Sequence, residues 1–193
     1  MKSLIGITMG DPKGIGPEVV AKAWRGLSED ERRQVVVYGD HAVLASAAEL
    51  CGASFDQKQT VITSSTAQPA RKVDDAEAAR VALSAIDAAI ADAESGRIAA
   101  IVTAPVNKKR MQAGRPGFMG HTEYLARASR VKDAVMMFAS PDYLESGDAG
   151  ILPRQFRISL ATMHLPLAEV SKALTTEVVL TTIRQTALAL DKY

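Results

Sequence analysis

The chain has 193 residues, 47% of them hydrophobic, with 23 basic and 22 acidic side chains giving a net charge of +1. That is apolar material enough for a real core, which excludes a disordered chain, and too little excess charge to make nucleic acid or an anionic membrane the main partner. The single cysteine, Cys51, excludes an internal disulfide and fits a reducing compartment.

At the start, "MKSLIGITMGDPKGIGPE" holds an apolar run too short for a signal peptide or a membrane span, so a soluble cytoplasmic protein is expected. "SLIGIT" reads as a strand running into a glycine- and proline-rich turn, with Pro17 suited to the first turn of the helix "PEVVAKAWRGL". "QVVVY" follows as a buried strand, "HAVLASAAELCG" as a helix closed by Gly52, and "TVITS" as another strand. The segment from Asp74 to Gly96 is alanine-rich, acidic at its start and closed by glycine, which predicts a long helix. "RIAAIVTAP" follows as a buried strand, and "AVMMFAS" and "FRISLATM" as two later ones, separated by a polar loop from Pro141 to Gln155. Strand and helix in alternation predict an α/β fold with an open, mostly parallel sheet flanked by helices. The final "TTEVVLTTIRQTALALDKY" predicts a helix capped by Thr175 or Thr176, whose apolar stripe needs something to pack on. The absence of a glycine or proline stop fits either the front portion of a longer protein or a complete chain ending in an uncapped helix.

Three places have the residue types for chemistry. In "GDPKGIGPE" the glycines permit close backbone approach and the helix start offers free N–H groups to an anion, but the spacing matches neither the dinucleotide fingerprint nor the phosphate loop. A plain strand-to-helix turn explains it as well. The stretch "TAPVNKKRMQAGRPGFMGHTEYLA" sets Thr103, Asn107 and Lys108 beyond the carboxyl end of a strand, where ligands bind in open α/β sheets. Lys108, Lys109, Arg110 and Arg115 have the charge to draw in a phosphate or carboxylate, yet Lys109, Arg110 and Arg115 read more simply as a solvated face. His121 and Thr122, at the start of the next helix, either cap it or point into a cleft. His164 also follows a strand, but one histidine is not a metal site, and no HxxxH or CxxC spacing occurs. His41 opens an ordinary helix, and Cys51 lacks a basic neighbour that would make it a nucleophile.

Taken together, "ITMGDPKGIGPEVV", "IVTAPVNKKRMQAG", "GFMGHTEYLA", "VMMFAS" and "ISLATMHLPLAEVSKALT" resemble, in the same order, the blocks of the 4-hydroxythreonine-4-phosphate dehydrogenases of vitamin B6 biosynthesis. "GDPKGIGPEVV" is also similar to the signature of isocitrate and isopropylmalate dehydrogenases, whose fold that family shares. The resemblance implies oxidation of a phosphorylated hydroxy acid by NAD or NADP with a divalent metal (zinc, magnesium or cobalt), followed by decarboxylation of the β-keto acid. It implies that His121 and Thr122 bind substrate, that His164 is the first metal-binding histidine, and that the enzyme is a homodimer with its site at the subunit interface. The family's other two metal histidines lie in later blocks resembling "NPHAGE" and "YHDQG", which this sequence lacks, so the chain is expected to be the N-terminal portion of a two-lobed enzyme, inactive alone. The rivals are a sibling acting on another phosphorylated sugar acid or on a dihydrodiol, an inactive α/β fragment, and a plain phosphate-binding module.

Overall fold

The computed structural model describes residues 4–64, 72–131, 134–140 and 156–192. The expected loop from Pro141 to Gln155 lies outside them. The chain divides into two compact units, Met1–Arg130 and Val131–Tyr193.

Unit 1 is built on four parallel strands: β1 (Leu4–Thr8), β2 (Val35–Asp40), β3 (Thr60–Ser64) and β4 (Ile98–Thr103), in the order β3-β2-β1-β4. β2 is buried along its whole length, and its alternation shows why. Val35 and Val37 face a core made with Val20 and Trp24 of α1 (Gly16–Gly26) and with Val43 and Leu44 of α3 (His41–Cys51). Val36 and Tyr38 point the other way, against Ala85 and Ala89 of α4 (Asp75–Glu94). A sheet sandwiched between helices in this manner is the α/β architecture predicted by the strand–helix alternation. α2 (Glu29–Arg32) is a short helix held by a full capping box between Ser28 and Glu31.

The predicted boundaries of the long elements hold closely. Asp74 caps α4 by accepting from the Glu77 amide at 2.7 Å, Asp40 caps α3, and Gly52 ends α3 in the left-handed region. Trp24, the chain's one tryptophan, is buried against Phe55 and donates its indole N–H to the Ser54 carbonyl at 2.8 Å. Cys51 is buried as well.

One strand differs from its expectation. β4 was expected to be fully buried by its unbroken apolar run, but it forms an edge of the described sheet. Ile98 and Ile101 pack on the α4 side, whereas Val102 is 49% exposed and Ala100 is exposed on the face shared with α1 and α3. An apolar run alone does not say whether helices cover both faces of a strand.

Unit 2 holds an antiparallel ribbon of β5 (Met136–Ala139) and β6 (Arg157–Leu160), with Phe138 opposite Ile158. It is followed by α7 (Leu167–Ala173) and α8 (Thr176–Lys192). Thr175 supplies the cap of α8, accepting from the Val178 amide at 3.3 Å. Thr186 of α8 donates to Ser159 of β6 at 2.8 Å, while Ile183 and Leu188 of the predicted apolar stripe stand exposed.

Candidate functional site

Strands β2 and β3 extend the sheet to one side of β1 and β4 to the other, so the strand order reverses between β1 and β4. In open α/β sheets the crevice beyond the carboxyl ends at such a reversal is where ligands bind. Two loops meet there: Met9–Ile15 after β1, and Ala104–Asn107 after β4.

The first loop spends its hydrogen-bonding groups on the protein itself. The Asp11 amide donates to the Pro105 carbonyl at 3.0 Å, the Gly14 amide to the Asp11 carbonyl at 3.0 Å, and the Lys13 amide to the Asp11 carboxylate at 2.9 Å. A Cβ at Gly16 would sit 2.5 Å from the Met9 carbonyl oxygen, and one at Gly10 would sit 2.5 Å from the Pro105 carbonyl oxygen, with Gly10 at φ +75. Glycine is required because two backbones pass this closely. The reading of "GDPKGIGPE" as a strand-to-helix turn accounts for these three amides.

The loops are also joined by charge. Arg110 was expected to face solvent, and here the structure corrects the sequence. Its side chain is 19% exposed, and its guanidinium pairs with the buried carboxylate of Asp11 and, at 3.1 Å, with Asp75. Lys13 donates to the same Asp75 carboxylate at 2.8 Å and to the Val73 carbonyl at 3.0 Å. These hydrogen bonds, Lys13 first and Arg110 second, hold the Asp75 carboxyl below the usual carboxylate range. The reversal point is thus clasped shut by four charges drawn from the β1 loop, the start of α4 and the next helix, α5 (Lys108–Gly114).

Beyond the clasp, α5 and α6 (His121–Ala128) are laid onto α4 by an apolar cluster. Met111 and Phe118 pack on Ala79, Ala82, Leu83 and Ile86, with Tyr124 and Leu125 of α6 against them. Gly114 lets α5 approach closely, since a Cβ there would meet the Ala79 Cβ at 2.5 Å. Tyr124 donates to Asp87 of α4 at 2.6 Å, and the Arg115 guanidinium lies 5.0 Å over the Tyr124 ring, so Arg115 is engaged as well. Desolvation and then the bond to Asp87 push the Tyr124 phenol up to about 12.

This packing fixes the start of α6. Gly120 is the N-cap position and no side chain caps the helix, so His121 and Thr122 are its first two residues rather than its caps. The His121 ring meets Phe118 edge-on at 6.4 Å, and its Nε2 is buried without a hydrogen-bond partner among the described residues. Burial lowers the imidazole's pKa from 6.5, leaving it neutral at pH 7. Asn107, predicted to lie at a ligand position, caps α5 by accepting from the Arg110 amide at 3.1 Å. Lys108 is exposed, and its Nζ lies 3.8 Å from where a Cβ on Gly120 would be.

His164 lies between β6 and α7, exposed and at φ +55, a left-handed conformation uncommon for a histidine. Among the described residues no group of three or more His, Cys, Asp or Glu side chains is placed to hold a metal. The described residues therefore do not by themselves make up a complete metal site. No helix among the described residues is long and apolar enough to cross a membrane.

A parallel sheet in the order β3-β2-β1-β4, flanked by helices, places the chain in the open α/β class, with its candidate site among the segments that follow β1 and β4. Residues 31–193 match the family described as PdxA, pyridoxal phosphate biosynthetic protein PdxA. The chain belongs to that family.

A 4-hydroxythreonine-4-phosphate dehydrogenase from Burkholderia vietnamiensis is 39% identical over 89% of this chain and 51% of its own length. One from Hydrogenobaculum is 31% identical over 98% of this chain and 60% of its own length. A crystal structure of a 4-hydroxythreonine-4-phosphate dehydrogenase from Burkholderia phymatum superposes with a TM-score of 0.77 at 28% identity, covering 100% of this chain and 59% of that one. The chain thus spans between half and three-fifths of the length of these relatives.

Proposed function

We propose that the whole protein oxidises 4-hydroxythreonine 4-phosphate with NAD or NADP and a divalent metal to a β-keto acid that decarboxylates, a step towards pyridoxal phosphate. The observation that carries this reading is the His121–Thr122 pair at the uncapped start of α6, in a chain 39% identical to a relative of that name. The nicotinamide supplies the hydride acceptor. The contribution of this chain is to hold the substrate. A neutral His121 forms a hydrogen bond with the ligand without repelling a neighbouring cation, and the Thr122 hydroxyl donates or accepts as the ligand demands. His164 supplies one metal ligand of a set completed by later residues and by a second copy in a homodimer. Alone, these 193 residues hold substrate without turning it over.

A relative named for D-threonate 4-phosphate, 31% identical over 90% of this chain, supports a second reading in which the substrate is a phosphorylated sugar acid. Both are tested by assaying a chain of the relatives' full length for nicotinamide reduction with each phosphorylated acid and with unphosphorylated 4-hydroxythreonine. Turnover of 4-hydroxythreonine 4-phosphate that falls at least tenfold in His121→Ala supports the first reading. Turnover of threonate 4-phosphate alone selects the second, and equal rates on the unphosphorylated compound sink both.

A further inference from the structure

We propose that Lys108 is an anion-binding residue of this site, its ammonium receiving the phosphate or carboxylate of a ligand seated at the first turn of α6. The proposal rests on the reading of His121 and Thr122 as ligand-facing, and it adds a contact that the resemblance does not supply.

Among the basic residues of this region, Lys13 and Arg110 are committed to Asp75 and Asp11, and Arg115 to Tyr124. Lys108 has no ion pair or hydrogen bond among the described residues. It opens α5 just beyond the carboxyl end of β4, and the clasp through Arg110, two residues on, fixes the helix that carries it. Its Cε and Nζ lie 3.6 and 3.8 Å from the point where a Cβ on Gly120 would stand, which places the ammonium in van der Waals range of the residue before His121. In the adjoining residue, the His121 Nε2 has no hydrogen-bond partner among the described residues, a polar group left unsatisfied beside the ammonium's place.

The Glu123 carboxylate borders the same point, its Oε2 2.9 Å from it, and makes no ion pair with Lys108. It opposes an incoming anion. The ammonium offsets that repulsion as well as attracting the ligand, so anion binding depends on Lys108 more steeply than it would on an isolated surface lysine. Lys109, exposed and one residue on, has no such placement and serves as the control.

The test is a titration of the 193-residue chain with inorganic phosphate at constant ionic strength, followed through the amide and imidazole resonances of residues 120–123. Acetate is titrated in parallel. The expected result is a saturable shift that Lys108→Met weakens by roughly tenfold, Lys108→Arg changes by less than about threefold, and Lys109→Met leaves unchanged. Saturation by phosphate alone assigns the contact to a phosphoryl group, and saturation by acetate as well assigns it to carboxylates in general. The proposal is overturned if neither anion saturates these resonances, or if Lys108→Met binds as tightly as the unsubstituted chain while its amide spectrum stays native. Either result leaves the His121–Thr122 reading to its own assay. A loss of turnover in His121→Ala beside normal anion affinity in Lys108→Met would sink this contact alone.

Discussion

His121 combines burial with an unpartnered nitrogen, and both have a consequence for pH. Its folded-state pKa is lowered from 6.5 by desolvation. Above that value both folded and unfolded chains carry a neutral imidazole, and the group has no effect on stability. As the pH falls through 6.5 the unfolded chain takes up the proton first, so stability is lost progressively until the lower folded-state midpoint is reached. Urea unfolding measured between about pH 7 and pH 5 should show this decline, and His121→Gln should flatten part of it. A folded-state imidazole midpoint at or above 6.5 would contradict the assignment. The sequence showed His121 as a candidate because it opens a helix behind a glycine. It could not show the buried nitrogen, which depends on Phe118 and the α4 surface rather than on any spacing within "GHTE".

Elements come together here through residues whose partners are remote in sequence. α4 was legible from its alanine periodicity and its caps because those signals are local. The role of Arg110 was not, since Asp11 lies 99 positions earlier and a charged run on a short helix resembles a solvated face until its partner is known. The same limit explains β4. Its composition marked a strand, while its place at the sheet edge follows from strand order, which no local pattern encodes. The clasp gives a test at this scale. Arg110→Met leaves the Asp11 carboxylate buried without its counter-charge and should destabilise by about 2–3 kcal/mol, and the double variant Asp11→Asn/Arg110→Met should recover part of that loss. A double-mutant cycle from urea unfolding measures the coupling, and additive single effects would show that the pair contributes no specific interaction.

At the scale of the molecule, the alternation of strands and helices was enough to predict a parallel α/β sheet, and the order of the motif blocks was enough to predict the family. The clasp at the reversal point and the separate antiparallel ribbon were not predicted, because both depend on how the strands are ordered in space. The described sheet leaves Ile5, Ala100 and Val102 uncovered on one face. Ile5 and Ala100 are paired across β1 and β4, so the exposed patch spans the two strands between which the order reverses.

The chain's one tryptophan gives the two units distinguishable signals. Trp24 lies inside unit 1, shielded from water and tied by its indole N–H to Ser54, whereas Val131–Tyr193 contains no tryptophan. Intrinsic fluorescence excited at the indole therefore reports on the α/β sheet alone, while far-ultraviolet circular dichroism sees the helices of both units. In a denaturant titration, coincident transitions mean that the two units melt as one cooperative body. A dichroism change that precedes the red shift of the emission means that Val131–Tyr193 loses its helices while the unit carrying His121 and Lys108 is still folded.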